Sequence, residues 1–329
     1  MNPSVETWLI GLTSIVIVVA TLYIATSGVI AHIMTRAQRK SPHDDPTWDA
    51  HKLDRVSFTS RGSDLALAGW YLRAARADRA VVLVHGKDCC RGDELKTSTY
   101  DLVQSLVQSG LSVFMLDLRG HGESSSARMT YGLRERFDVL GAVDWLLERG
   151  YKPGSVGLLG ASMGGACAIA ATRIEPAIGA LITDSAYADF SDMMQRRFRR
   201  LSGMPNVFLP GALFMSRLFT GVRFERNRPA DDATAFAGLP MLVIHSDQDP
   251  FVPLDHAQQI ATAAGAGLWV TQGEHHISSY RRYPNEYKQR VGQFFHAHLS
   301  GTSESSHAAV ATLSASVPLA PMELEKQAA

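Results

Sequence analysis

Val156-Gly157-Leu158-Leu159-Gly160-Ala161-Ser162-Met163-Gly164-Gly165 is the stretch whose reading settles the fold class. Its first four residues form a short apolar run of strand character, and residues 163–173 continue as a small-residue, apolar helical pattern. The G-x-S-x-G spacing between the two describes a sharp strand-to-helix turn. Small residues two positions either side of the serine let the turn close and leave the hydroxyl exposed on strained backbone. The helix start behind it offers free N–H groups and positive dipole to a developing oxyanion. A serine in that setting reads as a nucleophile.

Outward from this turn, short β-branched runs at residues 56–59, 65–72, 80–85, 112–117, 180–184, 241–245 and 268–271 predict strands, and residues 102–109, 132–149 and 254–264 predict helices. The βα alternation predicts a mainly parallel sheet with helices on both faces and its ligand crevice at the carboxyl ends of the strands. Between Asp184 and Pro240 the chain is longer than a simple crossover and carries two helical patterns. The first, residues 189–203, sets Arg196, Arg197, Arg199 and Arg200 beside Met193, Met194, Phe198 and Leu201; the second, residues 210–220, is strongly apolar. Two readings stand for this segment. Its apolar residues pack onto the sheet, or it lies on an anionic leaflet and lines an acyl channel.

Three further motifs agree with the serine turn. His85-Gly86 closes the run at residues 80–84; Asp117-Leu118-Arg119-Gly120-His121-Gly122-Glu123-Ser124 follows the run at 112–116; His245-Ser246-Asp247-Gln248-Asp249-Pro250-Phe251-Val252-Pro253 follows that at 241–244. With them the chain resembles the α/β-hydrolase fold superfamily over about residues 55–299. The resemblance implies an α/β-hydrolase fold with a helical lid insertion at about 186–238. The apolar N-terminus, the D-S-x-x-x-D-F stretch from Asp184 to Phe190 and the late G-x-x-H look similar to membrane-anchored serine hydrolases and acyl-protein thioesterase-like members.

The superfamily's chain order of nucleophile, acid and base implies Ser162, Asp249 and His276. Serine is a poor nucleophile at neutral pH, so an imidazole must take its proton and a carboxylate must orient that imidazole. Asp247 competes for the acid, but Val252-Pro253 stands at the motif's distance from Asp249, and Ser246 replaces the family's glycine. His275 competes for the base, with G-x-x-H favouring His276. The oxyanion donors implied are the N–H groups of Met163 and of Lys87, just after His85-Gly86, with Gly160 and Gly164 completing the turn. Cys89 and Cys90 read as ordinary reduced thiols or, less simply, one of them as a reactive thiol near an electropositive loop. His85 and His121 read as turn residues with local hydrogen bonds, and His296 and His298 as surface positions on a terminal helix.

Composition sets the limits. The 329 residues carry 32 Lys plus Arg and 32 Asp plus Glu, so no net field attracts nucleic acid, and 46% hydrophobic residues allow a large core. Three cysteines exclude a disulfide framework, no metal-ligand spacing appears, and no cofactor is required. Residues 7–35 contain no Asp, Glu, Lys or Arg. As a helix they reach about 44 Å, against roughly 30 Å of bilayer hydrocarbon, which predicts a single-pass transmembrane anchor over about 8–34 within residues 1–40. A buried core helix and a cleaved signal peptide are the alternatives; the first lacks a polar face and the second lacks a basic start. Arg36, Arg39 and Lys40 follow the span and no Lys or Arg precedes it, which puts the body at 41–300 in the cytoplasm. Residues 301–329, rich in Ser, Ala and Thr, predict a disordered tail. The function expected is a membrane-anchored serine hydrolase, cleaving an ester or thioester of a small-molecule or lipid-derived acyl substrate through an acyl-enzyme. A peptidase or acyltransferase with the same residues, or a catalytically silent anchored interaction module, is the alternative.

Overall fold

The computed structural model describes residues 5–42, 53–75, 78–236 and 238–301; the expected tail, Gly301 apart, lies outside the described residues. Eight strands form one sheet: β1 (Leu53–Thr59), β2 (Ala66–Leu72), β3 (Ala80–Val84), β4 (Ser112–Leu116), β5 (Val156–Ala161), β6 (Ile178–Asp184), β7 (Met241–Ser246) and β8 (Gly267–Thr271). Their order is β1-β2-β4-β3-β5-β6-β7-β8. β1 pairs antiparallel with β2 and β2 with β4, and every pairing from β4 to β8 is parallel. Every residue of β3, β4 and β5 is buried, as continuous apolar strands covered on both faces must be.

The cover divides by side-chain direction. Val82, Phe114 and Leu158 face α3 (Arg136–Glu148), α4 (Met163–Thr172) and α8 (Leu254–Ala264) in one core cluster. Val81, Leu83 and Met115 face α2 (Tyr100–Gln108) and α10 (Pro284–His298) in the other. Strand periodicity of two thus splits one apolar run between two cores. The carboxyl ends of the central strands are left as the exposed edge where loops converge.

The segment between β6 and β7 holds α5 (Phe190–Ser202), α6 (Leu209–Thr220) and α7 (Pro229–Ala233). Asp189 caps α5 by accepting from the N–H groups of Ser191 at 2.7 Å and Asp192 at 3.1 Å, and Gly203 ends it in the left-handed region at φ 71°. The buried stripe Phe190, Met193, Met194 and Phe198 of α5 packs into the main core. α6 packs mainly on α1 (Val5–Met34). The Tyr23 ring stacks on Phe208 at 5.4 Å, and the Tyr23 hydroxyl donates to the Val207 carbonyl at 3.1 Å while accepting from the Gly211 N–H at 3.2 Å. The opposite side of this segment exposes Val207 (66%), Phe214 (59%) and Leu218 (62%), so packing onto the sheet accounts for α5 and not for these side chains.

Within α1 the segment Thr7–Met34 is long and apolar enough to cross a membrane. Residues 7–22 are exposed throughout, whereas Ser27, Ile30, Ala31 and Met34 are buried against the body. The chain leaving the helix is tied down as well. Tyr131 donates to the Met34 carbonyl at 3.0 Å, Met129 N–H to the Thr35 carbonyl at 2.8 Å, and Gln38 N–H to Asp88 Oδ1 at 2.8 Å. The end of the apolar helix is therefore structurally continuous with the sheet edge.

Gly160 and Gly164 let α4 start directly over β3 and β5. A Cβ at Gly160 would press on the Gly164 carbonyl, and one at Gly164 on the Val84 and His85 carbonyl oxygens. Backbone on both sides gives neither contact room to relax. Gly164→Ala is expected to cost about 2 to 3 kcal/mol of stability, read as a lower denaturation midpoint of the full chain in detergent, whereas Gly292→Ala, which meets nothing within 4 Å, is expected to be tolerated.

Candidate active site

Ser162 sits between β5 and α4 with φ 51° and ψ −117°. A non-glycine residue at positive φ is strained and persists only where its surroundings hold it. Its N–H donates to the Asp184 carbonyl at 2.8 Å, and its own carbonyl accepts from Gly165 N–H at 3.0 Å. The hydroxyl is thereby held out of the sheet edge.

His276 Nε2 lies 2.8 Å from Ser162 Oγ, and His276 Nδ1 lies 2.6 Å from Asp249 Oδ2. With a carboxylate at Nδ1, that nitrogen carries the proton and Nε2 is left to accept from the serine hydroxyl. The second oxygen of Asp249 accepts from the N–H groups of Phe251 at 2.8 Å and Val252 at 3.0 Å. Burial alone would raise the Asp249 carboxyl, but the His276 hydrogen bond and charge, with the Val252 N–H, outweigh it and hold it below the ordinary carboxylate range. His245, buried behind Asp249, donates from Nε2 to the Val252 carbonyl at 2.9 Å, and burial keeps it neutral.

The competitors are placed elsewhere. Asp247 accepts from Gly273 N–H at 2.9 Å and braces the loop before the histidines, and His275 is exposed. Ser246, where the family has glycine, bonds the Ser278 hydroxyl at 2.8 Å, which ties β7 to the far side of that loop. Ile277, next to His276, is held at φ 57°. For a β-branched residue this is an outlier, so the loop that aims His276 is under strain.

The loop after β3 is fixed by two neutral imidazoles. His85 donates from Nδ1 to the Gly86 carbonyl at 2.7 Å and accepts at Nε2 from Leu118 N–H at 3.0 Å. His121 donates from Nδ1 to the Arg119 carbonyl at 3.0 Å and accepts at Nε2 from Asp88 N–H at 3.3 Å. Burial lowers both, well below the usual range at His85, which suits rings that accept at one nitrogen. Beneath them the Asp117 carboxylate accepts from Arg91 N–H at 2.8 Å and Glu123 N–H at 2.8 Å and pairs with the buried Arg91 guanidinium. A Cβ at Gly86 would stand 3.4 Å from Ser162 Cβ, so the loop passes directly over the serine.

Lys87, Ser162, Met163 and His276 line one cavity of about 310 Å³. Met163 opens α4, so its N–H is among the donors a helix start leaves without an intrahelical partner. Most of the remaining wall is apolar or aromatic, including Met193, Met194 and Leu201 from α5 and Ile30, Ile33 and Met34 from α1, with Asp88, Lys96 and Ser202 as its polar part. The α1 residues are the part of the site that sequence reasoning missed. Tyr131, at φ 56°, is the joint between them and the body: its carbonyl accepts from the Tyr187 hydroxyl and from Asn227 Nδ2 at 2.6 Å, while its own hydroxyl holds Met34.

Burial lifts the Cys89 thiol to about 12 and Cys90 higher, which supports the reading of both as ordinary reduced thiols. His296 departs from the surface position expected. It is half-buried, with Nδ1 3.3 Å from an Arg79 guanidinium nitrogen, because α10 packs back against the start of β3. Among the described residues no three of His, Cys, Asp and Glu converge as metal ligands.

Asp184, at the end of β6, is fully buried. Burial, with the Asp249 charge adding, raises its carboxyl from 3.8 to about 7 against the opposing hydrogen bond from the Ser185 hydroxyl. The folded protein therefore holds a proton here that the unfolded chain has lost. The resulting cost grows as pH rises from about 4 to about 7 and is fully present above that. Asp184→Asn is expected to raise Tm more at about pH 8 than at about pH 4; an equal effect at both would show that the carboxyl ionises normally.

A family model described as serine aminopeptidase, S33, matches residues 75–235. The Bacillus subtilis protein YqkD is 23% identical over 292 residues, which cover 83% of this chain and 93% of that one. The lysophosphatidylserine lipase ABHD12 of Mus musculus is 26% identical over 238 residues, 68% of this chain and 54% of that protein. The Pyrococcus furiosus esterase Pf2001 superposes with a TM-score of 0.66 at 22% identity, over 81% of this chain and 99% of that one. Sheet order, the strand-to-helix turn at Ser162 and these likenesses agree, and the chain has the α/β-hydrolase fold.

Proposed function

We propose that this chain is a membrane-anchored serine hydrolase that cleaves an ester or thioester of an acyl substrate. Ser162 Oγ attacks the carbonyl as His276 Nε2 takes its proton, and Asp249 stabilises the imidazolium. The N–H groups of Met163 and Lys87 receive the charge that develops on the carbonyl oxygen. The bond to the leaving atom then breaks, its electron pair stays with that atom, and His276 returns the proton to it. Water activated by His276 finally hydrolyses the acyl-enzyme. The observation that carries this reading is the unbroken run Ser162 Oγ, His276, Asp249 at 2.8 Å and 2.6 Å, opening on an apolar cavity.

The cavity walls favour an acyl chain, since Ile30, Met34, Met193, Met194 and Leu201 offer flexible apolar surface and few hydrogen-bond donors. The esterase and lipase likenesses support an ester; the serine aminopeptidase description supports peptide cleavage as a second reading. The length and apolar character of α1 support membrane attachment. Its exposed residues 7–22 reach about 24 Å, short of the roughly 30 Å of hydrocarbon. The bilayer must then extend to the level of Tyr23 and bring Val207, Phe214 and Leu218 into its interface. Arg36, Arg39 and Lys40 orient the body towards the cytoplasm, and Lys40 also lies 3.8 Å from Asp93 of the body.

In full-chain protein in neutral micelles, hydrolysis of p-nitrophenyl acyl esters is expected to fall about 10⁴-fold or more in Ser162→Ala and His276→Gln and about 10²-fold or more in Asp249→Asn, with Asp247→Asn within about threefold of wild type. Hydrolysis that survives Ser162→Ala would overturn the reading. Met34→Trp is expected to shift preference from dodecanoyl to butanoyl esters by about tenfold, and an unchanged preference would remove α1 from the acyl wall.

A further inference from the structure

A second cavity of about 510 Å³ lies beyond Phe251 and shares Lys96, Phe251 and His276 with the first. Arg200 from the end of α5, Arg281 from α9 (Ser279–Arg282), Lys96 and one acid, Glu274, line it. Arg196 is taken up by Asp192 and Asp255, and Arg290 by Glu286, whereas among the described residues no carboxylate pairs with Lys96, Arg200 or Arg281, nor with Arg197, Arg199 or Arg282 beside them. The Phe251 ring gathers two of them, with Lys96 Nζ 5.8 Å and the Arg200 guanidinium 5.5 Å from its centroid. The same ring stands edge-on to His276 at 5.6 Å. Lys96 is exposed and stands on left-handed backbone at φ 57°.

Reaction chemistry says what this cavity receives. The proton that His276 Nε2 took from Ser162 goes to the leaving oxygen, so the leaving group departs on the His276 side while the acyl chain lies among the apolar walls. On that side the polar cavity begins. We infer that this cavity is a leaving-group site for an alcohol bearing a phosphate, bound by Lys96, Arg200 and Arg281. The inference rests on the serine-hydrolase reading. As the carbonyl carbon–oxygen bond breaks, the electron pair remains on the alcohol oxygen, which takes the proton from His276; the phosphate is untouched and serves only for binding. A phosphate ester of this kind arrives either as the headgroup of a single-chain lipid or as a soluble short-chain ester, and the cations would read both.

The test compares kcat/KM for monolauroylglycerol and for its glycerol phosphate counterpart, in full-chain protein in dilute neutral micelles, with the butanoyl pair as soluble substrates. Wild type is expected to prefer the phosphate-bearing member of the pair. The Lys96→Gln/Arg200→Gln/Arg281→Gln variant is expected to lose about tenfold or more of that ratio, and Arg200→Lys to keep most of it. A fall in both pairs assigns recognition to the phosphate itself, and a fall in the lauroyl pair alone assigns it to a headgroup at the micelle surface. A ratio equal in wild type and triple variant, in protein whose Ser162 still reacts with a fluorophosphonate, would overturn the leaving-group site alone. Failure of Ser162 to react in wild type would remove the hydrolase reading and this inference together.

Discussion

The left-handed backbone at Ser162 is the constraint on which the rest of the site depends. A serine is not expected at φ 51°, and it stays there because Asp184 and Gly165 fix its peptide groups while Gly160 and Gly164 leave no room for the turn to relax. The strained turn is also what points Oγ away from the core and sets the first N–H of α4 beside it. Strand β5, buried along its whole length, anchors one end of the turn, and the all-buried helix α4 anchors the other. The cost of the strain is thus carried by the best-packed part of the molecule.

Around that point the other loops are held by polar groups that burial forces into single roles. His85 and His121 are kept neutral, so each has one donor and one acceptor nitrogen, and together they bind the loop after β3 to the turn after β4. Asp249 stays charged because His276 and two backbone N–H groups satisfy it, while Asp184, equally buried but with fewer partners, is pushed the other way. Two carboxyl groups at the same sheet edge therefore take opposite protonation preferences from their surroundings alone.

Much of this was legible in the residues. The runs at 80–85, 112–117 and 241–245 became strands because continuous apolar residues fit only a sheet covered on both faces, and the segment between β6 and β7 stood out by length. Asp249 and His276 could be ranked above Asp247 and His275 by motif, and the loop geometry brings the favoured pair to Ser162. What could not be read was how α1 ends. Ile30, Ile33 and Met34 have the same composition whether they meet lipid or protein, so a pattern that marks a span carries no sign that its last two turns wall the cavity. Arg91 was hidden for a related reason: its burial against Asp117 and 4.8 Å from the Trp70 ring depends on strands far apart in sequence.

α1 is thus part of the site as well as the proposed membrane attachment. Gln38 binds Asp88, which in turn binds His121 and Lys87, so the chain leaving the helix holds the loop whose N–H is proposed to meet the oxyanion. The most direct test of the central claim is intact-protein and peptide mass spectrometry of the full chain in native membranes after treatment with a fluorophosphonate. The account predicts one adduct, located on Ser162 and lost in His276→Gln. An adduct on any other residue, or labelling of Ser162 that is indifferent to His276, would contradict it.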